Sequence, residues 1–243
     1  MNISPVGSCS SKLVANATFK QLCRYSSSRK ISLQKTSSRQ WLIRQMNDKY
    51  VKLARYEHYR CRSAFKLLEI DEKYKILEAG MSVLDCGAAP GSWSQVAAKL
   101  VNSEDKRGFI VSIDRDFFHK VEGCVCIRNA DFTQKTSRDK VIEVLGDKRI
   151  DCALSDMAPN ATGHKLMDHE QIIDLQVKFV EFSELVLRHG GTLLCKILEG
   201  NRTKQFTTYL ETLFDDVKKV KPDASRSNSA EIFVLGRGYK RPR

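Results

Sequence analysis

Several arrangements that would fix a function class at once are missing from this chain of 243 residues. None of its 8 cysteines forms a Cys-x-x-Cys pair, so the spacing of a structural zinc site is absent and no metal is expected. No apolar run approaches the roughly 18 residues of a membrane-spanning helix, so no membrane span is expected. There is no Gly-x-Gly-x-x-Gly turn, which removes the dinucleotide fingerprint, and there is no internal repeat. Acid is missing from one region: residues 1–47 carry 8 Lys/Arg and not one Asp or Glu.

That acid-free opening is Ser-rich and basic, the composition of a mitochondrial transit peptide, and it lacks the continuous apolar core of a secretory signal. Residues 1–40 are therefore expected to be a mitochondrial leader, which predicts a matrix location; the alternative is a disordered basic tail that contacts RNA. The net charge of +12 resides at the two ends, because residues 48–217 hold 25 of the 41 basic and 27 of the 29 acidic side chains. Overall charge thus gives no argument for a nucleic-acid partner. The hydrophobic fraction of 42% is enough for a packed core, and the cysteines are expected to be core thiols in a reduced compartment.

What is present begins near Trp41. Residues 41–78 read as helical, with Ser63 as the N-cap of a helix through Tyr74. From Met81 onward short apolar runs alternate with amphipathic stretches. Strands are expected at Ser82–Cys86, Phe109–Ile113, Cys124–Arg128, Ile150–Leu154, Thr192–Ile197, Asp216–Val220 and Ile232–Gly236, with helices at 92–101, 134–146, 170–189 and 203–214. Such alternation predicts one α/β domain over residues 41–243, a mostly parallel sheet of seven strands with helices on both faces. The last strand follows a long loop without a helix and is expected to pair antiparallel.

The first strand runs into Gly87-Ala88-Ala89-Pro90-Gly91 and then a helical pattern. A strand, a glycine turn and a helix start together form a nucleotide-binding loop. Ala89 and Pro90 occupy the part of the turn where a dinucleotide site keeps its second glycine, so the loop suits an adenosyl ligand without a pyrophosphate, such as S-adenosylmethionine. Asp114 ends the second strand, where a carboxylate meets ribose hydroxyls, and Asp131 follows the third, where an adenine amino group is met.

Four ionisable residues stand where pattern prefers something else. Asp156 follows an apolar strand, Lys196 interrupts Leu-Leu-Cys-Lys-Ile-Leu, Glu231 opens the last strand, and Lys66 lies on the helix before the sheet. A lysine inside a buried strand is costly unless paired. Read one at a time, Lys66 is a solvated helix lysine and Glu231 a strand-end charge; together, two lysines and two acids can satisfy one another.

Five motifs carry a family pattern in order: Tyr-Arg-Cys-Arg-Ser-Ala-Phe-Lys-Leu at 59–67, Leu-Asp-Cys-Gly-Ala-Ala-Pro-Gly-Ser-Trp-Ser-Gln at 84–95, Ser-Asp-Met-Ala-Pro-Asn at 155–160, Leu-Cys-Lys at 194–196, and Lys-Pro-Asp-Ala-Ser-Arg-Ser-Asn-Ser-Ala-Glu at 221–231. The chain resembles the FtsJ/RrmJ-type ribose 2′-O-methyltransferases across nearly all of residues 41–236. The resemblance implies a Rossmann-like class I fold and S-adenosyl-L-methionine as methyl donor. It implies a catalytic Lys66–Asp156–Lys196–Glu231 tetrad, and a donor pocket at Pro90, Gly91, Ser92, Trp93, Asp114, Asp131, Phe132 and Asp156. With the leader, it is similar to the mitochondrial branch, which implies a uridine ribose of large-subunit rRNA, free or in a pre-ribosomal particle, as substrate. Arg60, Arg62, Lys165 and Arg226 are the basic residues expected to meet RNA. Phe233 departs from the family, where an aromatic with a hydroxyl is common; it is expected to alter substrate contacts without touching the tetrad. Three other readings stay open at this point: a dinucleotide-dependent oxidoreductase, a catalytically silent rRNA-binding assembly factor, and a methyltransferase of the same family acting on tRNA or an mRNA cap.

Overall fold

The computed structural model describes Ile43 and residues 45–240, so the expected leader at 1–40 and the start of the helical segment at Trp41 lie outside the described residues. The chain divides into Met1–Asn47 and Asp48–Arg243, and the second unit carries the sheet.

In that unit two helices, α1 (Lys49–Tyr56) and α2 (Ala64–Tyr74), precede the sheet. The predicted single helical segment is interrupted at 57–63. Ser63 occupies the N-cap position of α2 but is helical in φ/ψ and makes no capping bond. Its hydroxyl instead lies 2.8 Å from Ser92 Oγ and 2.9 Å from Cys61 Sγ, so it is spent on a neighbouring helix. The other end of α2 is closed by Asp71, whose Oδ1 accepts from the amides of Ile76 and Leu77 at 3.0 and 2.9 Å.

The sheet follows as β1 (Ser82–Cys86), α3 (Ser92–Val101), β2 (Phe109–Ile113), β3 (Cys124–Ile127), α4 (Lys135–Leu145), β4 (Ile150–Ser155), α5 (Lys165–Val186), β5 (Leu187–Leu198), α6 (Thr203–Leu213), β6 (Phe214–Val220) and β7 (Glu231–Tyr239). The spatial order is β3-β2-β1-β4-β5-β7-β6. All pairs from β3 to β5 are parallel; β7 is antiparallel to both β5 and β6. Successive strand residues serve opposite faces. Val83, Cys152, Leu154, Leu194, Phe233 and Leu235 pack with α2 and α3, whereas Leu84, Ala153, Leu193, Cys195 and Val234 pack with α4, α5 and α6. Burial on both faces is why the strands read as near-continuous apolar runs. Of the described cysteines, Cys86, Cys124, Cys152 and Cys195 are buried in this core and all are free.

Two boundaries differ from the pattern. Helix α5 begins five residues earlier than the expected 170 and runs directly into β5, which starts at Leu187 instead of Thr192. Leu187 is buried and pairs with Ile150, after which the register shifts; Arg188 and His189, expected in the helix, are exposed residues of the strand. Strand β7 extends to Tyr239, whose ring packs 5.5 Å from that of Phe214.

The turn after β1 fixes the ligand edge. Gly87 has φ +82°, and a Cβ there would come within 2.9 Å of the Met157 backbone, so the turn abuts the loop after β4. Gly87→Ala is expected to cost about 2 kcal/mol or more, combining left-handed strain with that contact; urea denaturation measures it, and an unchanged midpoint would contradict the close approach.

Candidate active site

The parallel strands all end at one edge, and a cleft of about 480 Å³ opens there between β1, β2, β3, β4 and α5. Such an edge is where open α/β sheets hold ligands. Of the residues expected to meet the methyl donor, Asp114, Asp131, Phe132 and Asp156 line this cleft. Asp114 Oδ2 accepts from the Ala89 amide at 2.8 Å and its Oδ1 from the Asp116 amide at 2.7 Å. Asp131 Oδ1 accepts from the hydroxyl and the amide of Thr133, at 2.7 and 2.9 Å, and those bonds hold its carboxyl below the usual carboxylate range.

Pro90, Gly91, Ser92 and Trp93 stand outside the cleft wall. The Pro90 carbonyl accepts from Arg60 at 2.8 Å, and Gly91 is left-handed at φ +111°. Ser92 Oγ lies 2.9 Å from Cys61 Sγ, and Trp93 Nε1 donates to the Ser63 carbonyl at 2.9 Å. These residues tie the start of α3 to α2, which sets the turn from behind.

The four misplaced charges meet as two ion pairs. Lys66 Nζ lies 2.7 and 2.8 Å from the two oxygens of Glu231, which also accepts from Ser225 Oγ at 2.8 Å. Lys196 Nζ lies 2.8 Å from Asp156 Oδ1 and donates to the Asp156 carbonyl at 2.5 Å. The contact to Oδ1 lies off hydrogen-bond geometry, which leaves that oxygen buried beside a cation with no donor directed at it. The four side chains are 12–16% exposed. Register explains the assembly. Ser155 pairs with Cys195, so the next residues, Asp156 and Lys196, emerge side by side. Lys196 opposes Phe233 and Leu198 opposes Glu231 on the antiparallel ladder. Lys196, Phe233 and Glu231 therefore share the face that α2 covers, and α2 supplies Lys66. The Phe233 ring floors this group, 5.7 Å from Lys66 Nζ and 5.6 Å from the Trp93 ring. It is fully buried, so the residue expected to leave the tetrad alone lies directly beside it.

The basic residues expected at RNA divide in two. Arg60 donates to the carbonyls of Pro90, His119 and Lys120 at 2.8, 2.6 and 2.7 Å, and Arg62 is bound to Asp48 and the Ala224 carbonyl. Both are committed within the protein. Lys165 is exposed at the start of α5, and Arg226 is half-buried in the loop before β7.

The sequence reading did not single out three further features. Arg115 lines the cleft and donates to Asn160 at 2.8 Å. His169 is buried, its Nδ1 on the Leu198 carbonyl at 2.8 Å and its Nε2 accepting from Arg202 N at 3.0 Å, so it pins the end of the strand that carries Lys196. Asp85, in the middle of β1, is fully buried; Ser94 Oγ donates to its Oδ2 at 2.6 Å while Oδ1 has no donor. Only His169 carried a visible signal, a histidine in an otherwise amphipathic helix. Among the described residues, no group of three or more His, Cys, Asp or Glu is arranged for a metal, and no helix is long and apolar enough to cross a membrane.

A seven-stranded sheet with this strand order and an acid-lined cleft beyond β1, β2 and β4 is the Rossmann-like methyltransferase fold. The FtsJ-like methyltransferase family model matches residues 59–239, and the chain belongs to that family, whose members are enzymes that use a methyl donor. It is 43% identical over 209 residues to rRNA methyltransferase 2, mitochondrial, of Drosophila melanogaster, covering 84% of each chain. It is 45% identical over 205 residues to the ribosomal RNA large subunit methyltransferase E of Xanthobacter autotrophicus, covering 84% of this chain and 80% of that one. Among solved structures, a putative ribosomal RNA methyltransferase from Plasmodium falciparum superposes with a TM-score of 0.68 at 30% identity, covering 76% of this chain and all of that one.

Burial pushes the Asp85 carboxyl up to about 7. Asp156 and Asp114 add to that shift and Ser94 opposes it. In the unfolded chain the group titrates near 4. The native state then holds more protons than the unfolded one between those values, so stability falls as pH rises from about 4 to about 7 and levels above. The Asp85→Asn variant is expected to flatten this dependence in the unliganded protein, read from urea midpoints between pH 5 and pH 8; parallel curves would place the titration elsewhere.

Proposed function

We propose that the protein transfers the methyl group of S-adenosyl-L-methionine to a uridine ribose 2′-OH in mitochondrial large-subunit rRNA, in the matrix, in support of large-subunit assembly. One observation carries this reading: two lysine–carboxylate pairs are assembled at the carboxyl edge of the sheet, and one of them, through Asp156, lines the cleft.

The cleft residues fit the donor. Asp114 and Asp131 retain lone pairs for ribose hydroxyls and an adenine amine, Phe132 supplies an apolar wall, and Asp156 Oδ1 is a buried acceptor awaiting an N–H. Bound S-adenosylmethionine supplies an electrophilic sulfonium methyl. A ribose hydroxyl is a poor nucleophile at neutral pH, so the chain must take its proton and hold the oxygen in line. Lys196, in its neutral form, accepts that proton, and Asp156 fixes its position through both a carboxylate oxygen and a carbonyl. Lys66 has three donors and one hydrogen bond to Glu231, which leaves N–H groups for the developing negative charge on the 2′-oxygen. Ser225 and Glu231 hold Lys66 in place. Names of relatives from an insect mitochondrion and from bacteria support the large-subunit rRNA substrate.

Lys196→Ala is expected to lower the methylation rate by about 100-fold or more, the scale of a lost general base, with donor affinity largely retained; turnover close to that of the unaltered enzyme would sink the assignment. The substrate is tested by mapping ribose methylation across mitochondrial RNAs with and without the protein. Loss at one large-subunit rRNA uridine is expected, and loss confined to tRNA would overturn the proposal.

A further inference from the structure

Helix α1 belongs to neither the cleft nor the tetrad, yet a chain of contacts joins it to the tetrad. Tyr50 Oη donates to Glu69 Oε1 at 2.8 Å, and Glu69 Oε2 accepts from the Ala224 amide at 2.8 Å. The next residue, Ser225, donates to Glu231, which holds Lys66. Burial, then the bond to Glu69, pushes the Tyr50 phenol up to about 12, so it remains a donor at any working pH. Arg62 adds a second tie between Asp48, the N-cap of α1, and the Ala224 carbonyl. Ala54 packs with Phe65 and Ala224. The helix is thus fixed in relation to the tetrad.

Its outward face is cationic. Ala54 is the buried side; at 3.6 residues per turn, Lys49, Lys52 and Tyr56 fall together on the opposite side, with Arg55 flanking them. All four are exposed, Tyr56 at 78%. The helix, Lys-Tyr-Val-Lys-Leu-Ala-Arg-Tyr, contains no acid. Of the acids around it, Asp48 is held by Arg62 and Glu69 by Tyr50 and Ala224, leaving Glu57 just past its end and Asp223, which acts on the inward Tyr50 side. Among the described residues, none of the three cations forms an ion pair. A solvated helix face gains by alternating its charges, since like charges a turn apart repel. This face instead keeps like charges together around an exposed aromatic ring, and it is braced against the catalytic edge.

We propose that the outer face of α1 is the docking surface for the RNA strand flanking the target ribose. Lys49, Lys52 and Arg55 meet its phosphates, and Tyr56 offers a ring on which a base stacks. The inference rests on RNA being the substrate, and it places part of the recognition outside the five motifs that define the family resemblance.

The test uses the full chain and a large-subunit rRNA transcript, with RNA binding and ribose methylation read separately. The triple variant Lys49→Ala/Lys52→Ala/Arg55→Ala is expected to weaken RNA binding by on the order of tenfold at moderate salt. It is also expected to reduce the slope of log K against log salt by about 2, the value for three lost single-strand phosphate contacts. Donor affinity and the thermal midpoint should stay unchanged. A control pair, Lys140→Ala/Lys204→Ala, lies on helices covering the other face of the sheet and should bind as the unaltered protein does. Equal RNA affinity and salt slope in the triple variant and the unaltered protein would overturn the proposal. Salt-dependent RNA binding without ribose methylation by the unaltered protein would instead overturn the functional reading, while the α1 contribution would still be measured in the binding arm.

Discussion

Strand β7 enters the sheet antiparallel between β5 and β6, so its first residue lies at the edge where the parallel strands finish. A parallel β7 would begin at the opposite edge, and Glu231 would be a strand length away from Lys66. As built, the β5–β7 ladder sets Lys196 opposite Phe233 and Glu231 one step further on the same face. The β4–β5 ladder, in register at Ser155 and Cys195, delivers Asp156 to Lys196. Three of the four charges are therefore positioned by backbone hydrogen bonding, and the fourth by the helix laid across them.

That placement has an energetic consequence. A lysine or carboxylate removed from water pays a desolvation cost that only a close, well-directed partner offsets. Each lysine has one, and the lone Phe233 ring beneath Lys66 adds a cation–π contact. The pairs are unequal. Lys66 donates to one oxygen of a carboxylate whose other oxygen lies 2.7 Å away and is held by Ser225, whereas Lys196 donates to the Asp156 carbonyl and meets its carboxylate only as a charge contact.

The sheet was legible because its strands are apolar on both faces and its helices are not. β1, β2 and α3 fall on the residues that the apolar pattern predicts. Boundaries failed where local chemistry served a distant partner: Ser63 looks like a cap and bonds to Ser92, and the helical pattern runs on to 189 while Leu187 already pairs with Ile150. Among the site residues, the four tetrad charges were visible because each sits oddly in its own pattern. Arg60 and Arg62 were visible for the same reason, but their partners are main-chain carbonyls and Asp48, which no spacing rule reveals. Asp85 was read only as a residue of the first strand, since nothing in the local pattern shows that its carboxylate is fully buried.

The bonds that Asp114 accepts from Ala89 and Asp116 bear on how the donor is recognised. A carboxylate held by two amides has lost its rotamer freedom on folding, and a ligand that meets it later owes little entropy for ordering it. Asp131, tied to Thr133, is in the same condition. This corner of the cleft is preorganised, with nearly the same shape before and after a small ligand arrives. The other end of the cleft is built differently: there Asp156 keeps a buried oxygen to which no donor is directed, so adjustment to what binds falls to that end.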